Sequence, residues 1–482
     1  MAEPTINVRL VETLTTALYD DPIILFREYV QNSLDAYIES TRDDKSKEFD
    51  GFAVEIRIDR KNSNIEIIDN GYGIQEKTFS TIMKRIGASD KKKDQIGFRG
   101  IGRLSAMPLC KELIFENKPQ GTKERQIFKW NGDEFHKSLN KGQDIETKLD
   151  DLTKLIPESY SGNIDDHYFK VKICGYKEAI DDLLKNSDFA YRLSELLPLK
   201  YSPEFKGQEE IKKKFQDLMG KSLDKYSCTV RLEGKELYKP YNNTHILKSG
   251  IVFWELKYPG KGEKAPDENI GILWFTFNQL IKALPKEGPC GILVRSKNML
   301  MGNRFSLADD AIKSKTEYIT TYRELTQMLS GVYGEMLLDY ELQDNARRDW
   351  FKIDEKSTKL RQIIVEFMRR LHTYRYAASN YFSGKEAKEQ KVIEAFKGLI
   401  VNYVPEKLTS DINIFLKKEM EDSGQVFKYA DEDIPKLSLT HKRFYERLIA
   451  GLYQYFMVQK KIEEFIKVRT YLKEYLKTTP KN

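Results

Sequence analysis

The sequence is poor in the residues that build disulfide and zinc sites. It has four cysteines and five histidines among 482 residues. The cysteines are far apart, no Cys-x-x-Cys pair occurs, and the histidines lack the close spacing of metal ligands. A disulfide framework and a zinc centre are therefore not expected, and reduced thiols in a packed core are.

Long apolar runs are absent as well. No stretch approaches the ~20 consecutive apolar residues that a membrane-spanning helix needs. The first residues, MAEPTINVRLVETL, do not combine a basic segment with an unbroken apolar run, as a secretory signal would. We therefore expect a cytoplasmic protein with no membrane partner.

Two common nucleotide motifs are missing. Neither the Walker pattern Gly-x-x-x-x-Gly-Lys-Ser/Thr nor the Rossmann pattern Gly-x-Gly-x-x-Gly occurs. The sequence thus indicates neither a P-loop enzyme nor a dinucleotide-binding enzyme. Internal repeats and low-complexity tracts are also absent from the sequence.

The chain carries a net charge of +6, and this charge is unevenly distributed. Residues 352–482 hold 26 Lys and Arg against 18 Asp and Glu, an excess of eight positive charges. Such an excess suits a polyanionic partner such as DNA. Solvated lysine-rich helix faces have the same composition, so both interpretations stay open.

Periodicity in the first part of the chain predicts a two-layer α/β domain. The helical spacing of Leu10, Leu14 and Leu18, together with Pro22, predicts two helices within residues 6–40. Short β-branched segments then predict a hairpin and three further strands. These strands are expected at 52–58, 65–68, 112–116, 126–130 and 168–174. We expect this domain to cover residues 1–200.

The rest of the chain predicts a second α/β domain and a helical domain. A stretch with Pro and Lys at 198–214 marks the first boundary. Strands are expected at 228–232, 271–276 and 291–294, with helices between them. We therefore expect a transducer-like α/β domain over 201–352. Apolar residues then return at helical spacing, which predicts a basic helical domain over 353–482.

The first chemical cluster lies on the predicted helix after Pro22. Glu28, Asn32 and Asp35 are separated by four and three residues, so they share one face of a helix. An Asn carbonyl oxygen suits Mg²⁺ that bridges phosphates, and a Glu one turn away can orient or deprotonate an attacking water. A polar helix face in water has the same pattern, so this cluster alone is weak evidence for a functional site.

The second cluster follows a predicted strand. Asp69 ends an apolar segment, and Gly71 and Gly73 follow it before Ile74. A carboxylate at a strand end can accept a hydrogen bond from the amino group of adenine, and glycines let the backbone turn beneath a flat ring. An ordinary Asn-Gly turn after a strand is the alternative.

The third cluster is a glycine motif before an apolar segment. Its glycines follow a Gly-x-x-Gly-x-Gly pattern, which would expose backbone N–H groups to phosphate oxygens at a helix N-terminus. The residues concerned are Gly97, Phe98, Arg99, Gly100, Ile101 and Gly102, preceded by Ser89 and Lys91. A flexible loop is the alternative for a lone glycine motif, but this motif is the third of an ordered set.

The three clusters resemble, in order and spacing, the motifs of the GHKL (Bergerat-fold) ATPase superfamily. The segment from Phe26 to Ala36 is most similar to the ninety-kilodalton heat-shock chaperone. The segments around Ser89 and Gln95, with Ser105, resemble the MORC ATPases, and Gly97 to Gly100 is similar to the mismatch-repair protein MutL. The resemblance covers about the first 110 residues.

The resemblance implies an N-terminal Bergerat two-layer α/β sandwich that binds ATP with Mg²⁺ and hydrolyses ATP. It implies that Glu28 activates water, that Asn32 holds Mg²⁺ and that Asp69 recognises the adenine base. It also implies that residues 74–103 form a lid. The full set implied to contact the nucleotide is Asn32, Asp35, Asp69, Gly71, Gly73, Ile74, Ser89, Lys91, Gly97, Phe98, Arg99, Gly100, Ile101 and Gly102.

One position departs from the family pattern. The family usually has a Gly-Thr pair at the start of a later strand, where the Thr supports the adenine-reading Asp. Here Asp165, Asp166 and His167 precede the strand expected at 168–174. The residue that takes the place of the Thr is left unassigned.

A second resemblance lies in the second predicted domain. Asn345 is followed by Arg348 and Asp349, which is similar to the catalytic loop of the chaperone's middle domain and implies that Arg348 contacts the γ-phosphate. An arginine supplied by another domain accelerates phosphoryl transfer by roughly 10³ to 10⁵. A surface salt bridge with Asp349 is the alternative. Lys297 follows a segment that also resembles a middle-domain strand, so it is the reserve catalytic residue.

Two functions stay open on this basis. In the first, ATP closes the lid, an ATP-dependent homodimer forms, and hydrolysis resets a clamp that acts on DNA or on a protein, with genome maintenance or phage defence as the expected context. In the second, the protein is a nucleotide-gated module that recruits an effector such as a nuclease. The presence of both Glu28 and Arg348 favours the first function. A chaperone-like role is a further alternative.

Overall fold

A computed structural model describes most of the first 381 residues of the protein. The described residues are 21–49, 51–84, 102–141, 149–243, 251–258, 267–277, 290–313, 322–340, 342–343, 345 and 350–381. Among these residues, no helix combines the length and the apolar character that crossing a bilayer requires.

The described residues form two sheets, and the first of them has eight strands. They are β1 (Ala53–Asp59), β2 (Asn64–Asp69), β3 (Glu112–Lys118), β4 (Glu124–Asn131), β5 (Thr153–Ser159), β6 (Tyr168–Cys174), β7 (Thr229–Leu232) and β8 (Lys235–Leu237). Their spatial order is β5-β4-β3-β6-β2-β1-β7-β8. Neighbouring strands are antiparallel except β1 and β7, which run parallel.

The two faces of this sheet differ in chemistry, as period-two side-chain alternation requires. On β2 the buried positions are Ile65, Ile67 and Asp69, whereas Glu66 on the opposite face pairs with Lys172 at 3.2 Å between Oε1 and Nζ. The same alternation on β3 and β6 places further ion pairs on the outer face. The sheet therefore has one face against an apolar core and one charged face, which is the two-layer arrangement expected from the sequence.

Seven α-helices precede the second sheet in the described part of the chain. They are α1 (Ile24–Asp43), α2 (Glu76–Lys84), α3 (Gly132–Lys141), α4 (Leu149–Leu152), α5 (Glu178–Lys185), α6 (Phe189–Leu196) and α7 (Gln208–Met219). The helix predicted after Pro22 is α1, whose Phe26, Val30 and Leu34 recur one turn apart and are completely buried. The helix expected before Asp20 lies outside the described residues.

The second sheet has five strands in the order β12-β11-β13-β10-β9. They are β9 (Val252–Tyr258), β10 (Glu268–Phe277), β11 (Gly291–Ser296), β12 (Met299–Met301) and β13 (Val332–Leu338). Three helices follow its strands in the described residues: α8 (Ser306–Lys313), α9 (Tyr322–Leu329) and α10 (Glu355–Tyr381). The Phe367 ring on α10 lies 5.6 Å, centroid to centroid, from that of Phe275 on β10, so α10 packs on this sheet.

The α/β fold class expected from the sequence is confirmed, with one unexpected feature. The strand expected at 228–232 is present, but it pairs with β1 and so extends the first sheet beyond residue 200. The three domain limits at 1–200, 201–352 and 353–482 stay a prediction. Helical structure begins at Glu355, close to the expected start of the helical part, and residues 382–482 lie outside the described residues.

A buried ionic cluster joins the two sheets. Glu335 on β13 accepts hydrogen bonds from Arg295 Nε on β11, from the hydroxyl of Tyr201 and from Lys239 Nζ, the last at 3.0 Å. Tyr201 and Lys239 belong to the chain around the first sheet, and all three charged side chains are buried. Arg295 Nη2 also donates to the backbone oxygen of Glu195, at the end of α6, at 2.6 Å. We call these residues the junction cluster.

Candidate nucleotide-binding site

Helix α1 brings buried carboxylates to its polar face. Glu28 and Asp35 are 2% and 1% exposed, whereas Asn32 between them is half-buried. The Arg27 Nη2 atom lies 3.4 Å from Glu28 Oε1, so a buried guanidinium accompanies this carboxylate. The apolar residues of α1 fix the helix in the core, and the polar side chains one and two turns apart then face a common side. The face expected from the spacing of these residues is therefore not an ordinary solvated helix surface.

Gly102, the last residue of the glycine motif, contacts Glu28. A Cβ atom at residue 102 would overlap Glu28 Oε2, closer than real Cβ contacts allow. Two hydrogen bonds of Tyr29 keep α1 and this segment together: its hydroxyl donates to the Arg103 backbone oxygen at 3.0 Å and accepts from the Ala106 N–H at 3.3 Å. The first and third sequence clusters therefore meet at Glu28 and Gly102.

Asp69 lies at the end of β2 with its carboxylate held from two sides. The Ser33 hydroxyl of α1 donates to Oδ2 at 2.6 Å, and the Gly71 N–H donates to Oδ1 at 2.9 Å. Burial raises the pKa of Asp69 to about 6, although both hydrogen bonds favour the ionised form. Ser33 thus connects the first sequence cluster to the second, and Asp69 has both donors it needs to stay oriented.

The turn after Asp69 has no room for a side chain at two of its positions, Gly71 and Gly73. A Cβ at Gly71 would lie 2.9 Å from Asp69 Oδ1, and one at Gly73 would lie 2.9 Å from Asn117 Oδ1. Gly73 also has a φ of +70°, which favours glycine. Close approach and backbone conformation therefore explain why both positions are glycine.

Asn117 on β3 fixes the far side of this turn. Its Oδ1 accepts from the Ile74 N–H and its Nδ2 donates to the Ile74 backbone oxygen, both at 2.8 Å. Asn117 is completely buried, and it pairs across the sheet with Phe169, the same residue that pairs with Asp69. Sequence reasoning missed Asn117. The available signal was an amide at the inward position that follows two apolar residues, Leu113 and Phe115, on the same strand face.

His167 stands beside the turn, immediately before β6. Its Nδ1 lies 3.0 Å from the Gly71 backbone oxygen, and its ring stacks on Tyr72 with centroids 4.8 Å apart. This is the position where the sequence offers no Gly-Thr pair. Ser33, Asn117 and His167 therefore all support the Asp69 turn, and none of them was assigned a role from the sequence.

The predicted site residues divide into two groups. Those within the described residues lie around α1, the Asp69 turn and Gly102: Glu28, Asn32, Asp35, Asp69, Gly71, Gly73, Ile74 and Gly102. Those outside the described residues are Ser89, Lys91, Gly97, Phe98, Arg99, Gly100, Ile101 and Arg348. The roles of both groups toward a nucleotide stay predictions.

Lys297, the reserve catalytic residue, lies in the turn between β11 and β12. Lys297 and Asn298 have φ values of +46° and +63°, as in a two-residue hairpin turn, and the Lys297 N–H donates to the Leu338 backbone oxygen at 2.9 Å. Its side chain is half-buried. A catalytic role for Lys297 also stays a prediction.

Comparison with known proteins finds a matching family model and several relatives. The family described as "Histidine kinase-, DNA gyrase B-, and HSP90-like ATPase" matches residues 24–159. Chaperone protein HtpG of Natranaerobius thermophilus is 25% identical over 198 residues, 36% of this chain and 31% of the chaperone. HtpG of Aliarcobacter butzleri is 30% identical over 142 residues, 25% of this chain and 22% of the chaperone.

The matched region spans about a third or less of the length of these curated relatives. Among solved structures, the ATPase region of Saccharomyces cerevisiae topoisomerase II is 12% identical with a TM-score of 0.38, and the match covers 69% of this chain and 78% of that chain.

Proposed function

Since residues 24–159 form a domain of the histidine kinase-, DNA gyrase B- and HSP90-like (GHKL) ATPase superfamily, we propose that the protein binds ATP with Mg²⁺ and hydrolyses it to drive a conformational switch. The observation that carries this proposal is the arrangement around Asp69. A buried carboxylate at a strand end is oriented by Ser33 and Gly71, and the adjoining turn carries no side chains at Gly71 and Gly73.

The base end of the pocket is the Asp69 turn. The ionised carboxylate only accepts hydrogen bonds, and the exocyclic amino group of adenine only donates to it. The side-chain-free backbone at Gly71 and Gly73 provides a surface against which a flat base can lie. Burial makes the contact selective, because a buried carboxylate that loses its partner gives up hydration without compensation.

The phosphate end is the polar face of α1 beside Gly102. The Asn32 side-chain oxygen is the type of ligand that Mg²⁺ accepts alongside phosphate oxygens, and Asn32 lies one turn from Glu28. When bound, Mg²⁺ would neutralise charge on the phosphates. In this proposal Glu28 orients the attacking water and accepts its proton. Its contact with Gly102, at the end of the glycine motif, supports this role.

The second sheet supplies candidates for the positive charge that the γ-phosphate needs. The residues flanking 346–349 are fixed to each other: the Asn345 N–H donates to the Trp350 backbone oxygen at 2.8 Å, and the Lys352 N–H donates to the Gln343 backbone oxygen at 2.7 Å. Trp350 Nε1 in turn donates to Asp310 Oδ1 on α8 at 3.2 Å. This anchoring supports Arg348 as the arginine delivered by the second domain, with Lys297 as the alternative.

The experiment that tests the proposal compares two variants in steady-state turnover and in ATP binding. Glu28→Ala should bind ATP but lose turnover by a factor of about 10² to 10⁴, because only the attacking water is left unassisted. It should also accumulate in the closed, dimeric form with ATP, visible as a compact particle by scattering.

Arg348→Ala should also bind ATP and lose turnover, but it should remain open because the contact between the domains through the γ-phosphate is lost. Glu39→Ala, at an exposed position of the same helix, and Arg347→Ala are the matched controls and should behave as wild type. If Arg348→Ala hydrolyses ATP at the wild-type rate, Lys297→Ala is the next variant to measure. Wild-type protein that neither binds nor hydrolyses ATP would end the proposal.

A nucleotide-gated module that recruits an effector is the second candidate. Measurable steady-state turnover that depends on Glu28 separates the switch from this module, since recruitment needs binding alone. The positive excess of residues 352–482 favours a polyanion such as DNA as the partner. The relatives named as chaperones favour a protein client instead. DNA binding by the full chain at low salt, compared with protection of an unfolded protein from aggregation, distinguishes the two.

A further inference from the structure

The loop before β6 reaches back to the Asp69 turn through His167. A backbone oxygen can only accept, so the 3.0 Å contact between His167 Nδ1 and the Gly71 oxygen requires the proton on Nδ1. The imidazole also stacks on Tyr72 and lies edge-on to Phe49, with ring centroids 6.0 Å apart. His167 therefore contacts both the backbone and the neighbouring side chain of the turn.

A buried lysine holds this loop in place. Lys118, at the end of β3, is completely buried and its Nζ donates to the backbone oxygens of Asp166 at 2.8 Å and Ile164 at 3.3 Å. On the same loop, the Tyr160 hydroxyl donates to Asp166 Oδ2 at 2.9 Å. Because a buried ammonium needs these acceptors, the loop has little freedom to move, and His167 is presented from a fixed support.

Gly71 is the residue through which His167 acts on Asp69. The Gly71 N–H orients the Asp69 carboxylate, and the Gly71 oxygen is the atom that His167 holds. Gly71 has no side chain of its own, and these two hydrogen bonds of its N–H and oxygen orient its peptide planes. Loss of the His167 contact would let the Gly71 backbone rotate and would loosen the donor that aims Asp69.

We propose that His167 is a positioning residue for the base end of the pocket, which through the Gly71 oxygen keeps Asp69 aimed at the exocyclic amino group of adenine. The inference rests on the proposed ATP binding. It predicts a role in affinity and in choice of base, and no role in the hydrolytic step, which takes place at the phosphate end beside Glu28.

Two pairs of variants test this role. His167→Phe keeps the ring for stacking on Tyr72 but has no donor, so its Kd and KM for ATP should rise about tenfold while kcat at saturating ATP stays within about twofold, one hydrogen bond being worth about a factor of ten. His167→Asn places its amide nitrogen where Nδ1 lies and should recover most of the affinity. His167→Gln places its amide nitrogen farther out, as Nε2 is, and should not recover it.

Choice of base gives an independent readout. Inosine triphosphate has a carbonyl oxygen in place of the amino group, so the wild type should prefer ATP, and His167→Phe should lose most of this preference while His167→Asn keeps it. A structural role alone would not separate Asn from Gln. Equal ATP affinity in His167→Phe and wild type, equal behaviour of the Asn and Gln variants, or a fall in kcat with unchanged KM would each overturn the inference. Absence of ATP binding in the wild type would overturn the proposed function itself.

Discussion

Asp69 combines the burial, position and hydrogen bonds that the proposed adenine contact requires. It is buried, it ends the apolar face of β2, and both of its oxygens accept hydrogen bonds from the protein. Asp69→Asn keeps the size but replaces one of the two accepting oxygens with an NH₂ group, which cannot accept the hydrogen bond that Ser33, Gly71 or adenine would donate there. We expect this variant to lose detectable ATP binding in calorimetry. Asp59→Asn, at the exposed end of β1, is the control, and wild-type affinity in Asp69→Asn would contradict the pocket assignment.

The pKa of Asp69 makes a second prediction at the residue scale. Burial raises this pKa from 3.8 to about 6, and in the proposed complex the amino group of adenine pairs with the ionised carboxylate. Proton binding therefore competes with ATP binding, so the affinity should be constant well above pH 6 and should fall by up to about tenfold per pH unit below it. Calorimetric titrations between pH 5 and pH 8 check this. An affinity that stays flat through pH 6 would exclude Asp69 as the titrating group.

At the scale of elements, the contact between α1 and Gly102 couples the helix to the glycine motif. A methyl group at residue 102 would overlap Glu28 Oε2, so Gly102→Ala must displace the carboxylate. We expect turnover to fall at least tenfold, whereas ATP affinity should change less because the Asp69 turn is untouched. Gly234→Ala, in the hairpin between β7 and β8, has open space around its Cβ but a φ of +77°, so it controls for the backbone strain of a Gly→Ala change away from Glu28 and should keep normal turnover. Normal turnover in Gly102→Ala would argue against Glu28 as the base.

Strand β13 shows why some elements escaped sequence reasoning. Its segment, VYGEMLL, contains Gly334 and Glu335 in the middle of a fully buried strand. Glycine and glutamate are both disfavoured in strands, so the pattern did not predict one. The structure explains both residues: a Cβ at 334 would overlap the Trp274 backbone oxygen, and Glu335 is paired with Arg295 and Lys239.

At the scale of the whole molecule, the junction cluster decides how the two sheets are held together. Two cations, Arg295 and Lys239, share the single carboxylate of Glu335. Burial lowers the pKa of Lys239 to about 7, although Glu335 opposes the shift. Lys239 therefore loses its charge more readily than Arg295. The stability of the cluster depends more on the Glu335 carboxylate than on Lys239.

This difference between Glu335 and Lys239 predicts a large loss of stability for one substitution and a small change for the other. Glu335→Gln leaves the buried Arg295 guanidinium without a counter-charge and removes the carboxylate that opposes the fall in the pKa of Lys239, so it should lower the free energy of unfolding by about 3–5 kcal/mol. Lys239→Met leaves the Arg295–Glu335 pair intact, fills the space beside Tyr201 and should change stability by no more than about 1 kcal/mol. Urea unfolding at pH 7 measures both, with Lys137→Met at the exposed pair with Glu134 as a control. Equal losses in the two variants would show that the lysine is essential as a charge.

Features that are local along the chain could be predicted from the sequence. The spacing of Glu28, Asn32 and Asp35 depends only on helical geometry, and Asp69, Gly71 and Gly73 follow directly from a strand and its turn. The hairpin of β1 and β2 and helix α1 were likewise predicted, because periodic burial within one segment specifies them.

The distant residues that support the Asp69 turn could be identified from the tertiary structure alone. Ser33 contacts Asp69 across 36 residues, Asn117 contacts Ile74 across 43, and His167 contacts Gly71 across 96. The attachment of β7 to β1 depends on a contact between strands far apart in the chain. The physical reason is that a hydrogen bond between segments requires both segments to be placed first. Their placement comes from apolar packing over the whole domain, which no single stretch of sequence records.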